Sequence, residues 1–192
     1  MKKKFVLFLL LIGFPSFSQS LENLKTAANK IYQANYLMDF EAILSYSYPK
    51  MTEKISQDIL LEKIEKHYEN EEYRLRFQLE KVPFLFSPIR VLEGKTFCVM
   101  TCRNPLRYTF ETKLTAETSA AKTEWLKETN KTKEVTFEPA RNSFNVRKTT
   151  TFVAVADETT NNQWKFFNFD DPIQYESFEQ LFSESLKKEL GL

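Results

Sequence analysis

Glycine is nearly missing, with three residues in 192. A phosphate-cradling loop needs several, so nucleotide-binding folds are disfavoured. A single histidine, His67, and two cysteines, Cys98 and Cys102, leave the usual zinc constellations short of ligands. There is no Gly-x-Ser-x-Gly, and with one histidine no Ser-His-Asp order runs beyond His67. Charge of one sign is also lacking, since 27 basic residues face 26 acidic ones. That balance argues against nucleic acid and against an electrostatic membrane role. No long hydrophobic run is present either. Phe5 to Phe14 is ten residues, well short of the roughly 20 that a membrane-crossing helix needs.

That short run has another meaning. Lys2, Lys3 and Lys4 precede it, Pro15 ends it, and Ser16-Phe17-Ser18 places small residues before Gln19. The pattern predicts a secretory signal peptide over 1–18 and export to the periplasm or medium. An uncleaved N-terminal anchor is the alternative. No cysteine directly follows the apolar run, so a lipoprotein anchor is not expected. Removing eighteen residues leaves 174, with 24 basic residues against 26 acids and a net charge of −2. A single domain over 19–192 can bury about 70% of its unfolded surface without a staple. Export invites a disulfide, but on a regular strand Cys98 and Cys102 would stand about 13 Å apart, beyond the roughly 7 Å limit. Two buried thiols on one side of a strand are the simpler expectation.

What the chain has in quantity is aromatic residues, including 18 Phe, and a legible order of elements. Leu24, Ala27, Ala28, Ile31 and Ala34 recur at helical spacing and predict a helix over 21–36. Asp39 suits an N-cap for a short second helix burying Phe40, Ile43 and Leu44, which Pro49 closes. Ser56 caps a third over 57–70, with His67 and Tyr68 on its apolar stripe. Strands follow: 73–82, 89–92 and 95–102, the last two joined at Glu93-Gly94. Pro105 is expected to interrupt the sheet at an edge or bulge, with 106–114 resuming it. Residues 115–133 read as an exposed helical insertion that Trp125 pins to the body, or as a mobile one. A short strand at 135–137 precedes a long strand over 143–156. Residues 157–162 turn the chain, and 164–169 returns with rings on both faces, which suggests a central strand. Asp171 or Pro172 opens a last helix through Tyr175, Phe178, Leu181, Phe182 and Leu186.

Three helices, a meandering antiparallel sheet and the run Trp164-Lys165-Phe166-Phe167-Asn168-Phe169-Asp170 resemble the nuclear-transport-factor-2-like (SnoaL-like, cystatin-like) cone folds. The matching parts are Asn35 to Tyr46 and Asn162 to Asp170. The resemblance implies an α+β class, with N-terminal helices packed in the concavity of a curved antiparallel sheet and a C-terminal helix added. It also implies a pocket between those helices and the sheet. Such pockets host proton transfer when a carboxylate sits in an apolar wall opposite a phenol.

On that basis Asp39, His67 and Tyr46 are the catalytic candidates. Each has a plainer role: a helix cap for Asp39, a core-edge or helix-end residue for His67, and edge packing for Tyr46. Tyr48, Arg103, Arg107 and Trp164 are the ligand-binding candidates. The arginines also read as a solvated sheet face paired with glutamates. No metal and no cofactor are expected. The favoured expectation is an exported, non-catalytic binding protein with a small apolar ligand in the cone or an envelope protein on the sheet face. The alternatives are a proton-transfer enzyme of the isomerase or dehydratase type and a structural homo-oligomeric envelope protein, most simply a homodimer.

Overall fold

A computed structural model describes residues 21–51, 53 and 55–192. The expected signal peptide lies outside them. Among these residues, six α-helices and a seven-stranded antiparallel sheet make up an α+β domain. Three helices open it: α1 (Leu21–Leu37), α2 (Phe40–Tyr46) and α3 (Gln57–Tyr68). Their starts follow the local chemistry. The Asp39 carboxylate accepts from the Ala42 N–H at 3.0 Å, and the Ser56 hydroxyl caps α3 through the Ile59 N–H.

Two long strands form the spine, β4 (Lys95–Phe110) and β6 (Ser143–Ala156). They pair without a register break from Thr96 opposite Ala156 to Thr109 opposite Ser143. Three short strands, β1 (Tyr73–Phe77), β2 (Phe84–Phe86) and β3 (Arg90–Leu92), line the other side of β4 in succession. Beyond β6 lie β5 (Val135–Glu138) and β7 (Lys165–Asn168). Glu93 and Gly94 both take positive φ, at 49° and 73°, the geometry of a tight turn matched to strand twist.

Two expectations about strands are corrected. Pro105 does not interrupt β4, which runs straight through it. Its carbonyl accepts from the Gln78 N–H at 2.8 Å, on the side where β1 has ended and β2 has not begun. The missing N–H falls in that gap, so no ladder bond is lost. The strand at 165–168 is also not central, because β7 pairs with β6 alone. Its rings are buried on both faces because helices cover both, and Ser47 bridges to its free edge at Phe166.

Strand alternation divides the core. Even-numbered residues of β4 and β6 face α1–α3. Cys98, Met100, Cys102, Phe152 and Ala154 pack with Leu24, Ala28 and Ile31 of α1 and with Trp164 and Phe166. Further along the same face, Leu106, Tyr108, Phe110, Phe144 and Val146 receive α4 (Ala116–Thr129), the expected insertion. That helix is largely exposed, but Leu126 is fully buried and Trp125 packs on Tyr73. Odd-numbered residues face the other way. Phe97, Val153, Val155 and Phe167 are covered by Phe178 of α5 (Pro172–Leu181) and Leu186 of α6 (Glu184–Leu190). The expected single terminal helix is thus two, broken at Phe182, with Ser183 capping the second. Both cysteines are free and buried.

Candidate functional site

The concave face is not filled along its whole length. Where α1 has packed on one end and α4 on the other, the middle of the sheet is left under α2 and α3. A cavity of about 310 Å³ remains there, within the lower range of ligand pockets. Its apolar wall comes from Ile43, Leu44, Leu60, Ile64, Leu75, Phe77, Leu106 and Phe152.

The polar wall is built by parity. Asn104 and Lys148 face each other across the β4–β6 ladder, and Thr150 is two residues on from Lys148. All three are even-numbered and turn inward. The Asn104 amide donates to the Thr150 hydroxyl at 2.7 Å, and that hydroxyl donates to Asp170 Oδ2 at 2.7 Å. Lys148 Nζ reaches the same carboxylate oxygen at 2.8 Å. Cys102 donates its thiol hydrogen to Asn104 Oδ1 at 3.3 Å, and burial pushes its pKa up to about 12, so it stays protonated. Asp170 follows β7, which delivers it to the cavity from the sheet edge. Asp171 beside it accepts from the Ile173 and Gln174 N–H groups and starts α5.

His67 closes the ring from α3. The residue is exposed at the rim, while the protein around its inner side lowers its pKa below the ordinary histidine value. Desolvation is the main cause. Lys148 acts the same way, and Asp171 and Asp170 oppose both. His67 makes no hydrogen bond to a described residue; Tyr68 meets it edge-on. Tyr68 donates to Asn35 and Tyr108 donates to Asn130 at 3.0 Å. Burial raises both phenols well above the ordinary tyrosine value, so both are neutral donors.

Of the seven residues expected at a site, the cavity gathers only His67. Asp39 is a helix cap, bonded to Ala42. Tyr46 packs against Phe166 with Lys165 Nζ 5.9 Å from its ring centre. Tyr48 is buried on the opposite face of the sheet, where its hydroxyl donates to Asp157 at 2.6 Å. Trp164 belongs to the α1 core, and its buried indole N–H has no partner among the described residues. Arg103 pairs with Glu134 and Arg107 with Glu138 on the solvated outer face. The residues that reasoning along the chain missed are Asn104, Lys148, Thr150 and Asp170. Parity carried the signal: extending the inward apolar series Cys98, Met100, Cys102 by one step puts Asn104 inside. Stepping back from Phe152 does the same for Thr150 and Lys148.

No group of three or more metal-ligating side chains occurs among the described residues, and none of their helices is long and apolar enough to cross a membrane. No protein-family model, curated protein or solved structure matches the chain.

Proposed function

We propose that the protein is an exported, nuclear-transport-factor-2-like binding protein that holds a small, mainly apolar molecule between α2, α3 and the concave face of the sheet. One observation carries the reading. The domain leaves about 310 Å³ open in the middle of an otherwise packed face, and lines it with an apolar wall and one ordered polar cluster. Export rests on the Lys-rich, apolar, small-residue pattern at the start of the chain. Native mass spectrometry of the protein taken from its own compartment tests the reading. An added mass that leaves on denaturation is the expected result. A bare chain, together with no binding to any small apolar probe, sinks it.

Proton transfer is a second reading, favoured by His67. A histidine held neutral at a cavity rim, with both ring nitrogens free of bonds to described residues, has the makings of a general base. This reading requires His67→Ala to abolish turnover while the fold and ligand binding persist. Retained turnover in His67→Ala rejects it.

A further inference from the structure

Charge inside the cavity points beyond binding in general to the kind of polar head it accepts. Four charged side chains line it, two lysines and two aspartates. Asp171 has its carboxylate engaged in starting α5. Lys63 is exposed at the outer rim, where water and salt weaken its field. Lys148 and Asp170 are therefore the charged groups left to meet a ligand in the interior. Their side chains are only 14% and 26% exposed, and they pair at 2.8 Å.

The pair is held in place before any ligand arrives. Asn104, itself 2% exposed, donates to Thr150, which must then turn its own hydrogen to Asp170. The Thr150 hydrogen bond and the Lys148 ion pair both reach Asp170 at Oδ2, and Oδ1 accepts nothing from the described residues. Lys148 pairs with Asp170 by charge, has three donor hydrogens, and gives none of them to another described residue. The pair thus offers one acceptor and further donors side by side while carrying no net charge.

We propose that the cavity takes an uncharged ligand whose head carries a donor and an acceptor together, as a carboxamide does, on an apolar body. The Lys148–Asp170 pair enforces this choice against carboxylates and amines. The proposal rests on the cavity-binding reading above. An entering carboxylate must lose its hydration, and the lysine that would compensate it is already paired with an aspartate that repels it. An amine meets the mirror-image problem at Lys148. A carboxamide gives one N–H to Asp170 and takes one from Lys148, and neither charge is left unpaired.

Three probes on one skeleton test this: 2-naphthamide, 2-naphthoate and 2-naphthylmethylamine, titrated calorimetrically into the full chain at pH 7. The amide is expected to bind at least about tenfold more tightly than either ion. Asp170→Asn should invert the order towards naphthoate, because Lys148 then lacks its counter-charge. Lys148→Met should invert it towards the amine. If one variant fails to fold, the other variant and the wild-type ranking still decide. Equal or tighter binding of an ion to the wild type overturns the charge argument and leaves the cavity reading standing. If none of the three probes binds, this proposal falls, and a bare chain in native mass spectrometry with no uptake of any small apolar probe takes the cavity reading with it.

Discussion

Single residues in this domain do local electrostatic tasks that pH can separate. Asp157 is buried on the odd-numbered side of the sheet. Burial alone would raise its pKa, but bonds from Thr159, Tyr48 and the Thr160 N–H, with Lys95 nearby, outweigh that and bring it below the ordinary 3.8. A depressed carboxylate stabilises the fold above its unfolded value and loses that contribution as pH falls through its folded value. Tyr48→Phe should therefore cost about 1–3 kcal/mol at pH 7, with the difference shrinking below pH 3.8, as urea unfolding at both pH values would show. His67 has the opposite protonation chemistry but the same direction. Its folded pKa lies below 6.5, so the unfolded chain binds the proton first and stability falls as pH drops through 6.5. His67→Gln should flatten that slope between pH 7.5 and 5.5. If the slope is unchanged, His67 is not its source. The helix caps Asp39 and Ser56 were legible along the chain, since a side-chain oxygen beside an apolar run is a local signal. Lys148 and Thr150 were not, because in the run Arg147-Lys148-Thr149-Thr150 every residue is polar. Only the parity of the whole strand tells which of them turn inward.

At the scale of elements, sequence pattern served helices better than strands. The α1 and α3 stripes and the α4 insertion depend on contacts within one segment. Whether β7 is central or lies at an edge depends on pairing with distant strands, which periodicity along one strand does not encode. The same holds for Pro105, tolerated only because β1 and β2 leave a gap opposite it. Helix α4 gives the clearest element-level prediction. It is largely exposed, and its hold on the sheet centres on Leu126 and the partly buried Trp125. Leu126→Ala should cost about 2–5 kcal/mol in urea unfolding, a cavity-forming loss at a fully buried site. In amide exchange, α4 should open at lower free energy than the β4–β6 ladder even in the wild type. Equal protection of the two would mean that α4 is part of the cooperative core.

For the whole molecule, the question is why one stretch of the concave face stays open in a chain with so many aromatic residues. Those rings are concentrated elsewhere. Phe167, Phe178 and Phe182 seal the far face, and Phe110, Phe137 and Phe144 fill the end under α4. In the middle, Asn104, Lys148 and Thr150 stand at positions where the strand alternation would allow large apolar side chains. With Asp170 they form an ordered polar network that does not close the space. A void kept only for want of packing would lower stability, and filling it would raise stability with no other effect. A void kept for a ligand should behave differently when filled. Ile64 lines the cavity from α3, half-buried, with open volume in front of it. Ile64→Trp should change the unfolding free energy by no more than about 1 kcal/mol, since the larger ring enters existing space. It should also abolish uptake of the naphthalene probes. If the variant keeps full probe affinity, binding occurs elsewhere on the molecule. If it is unstable, the cavity is smaller in solution than its 310 Å³ suggests.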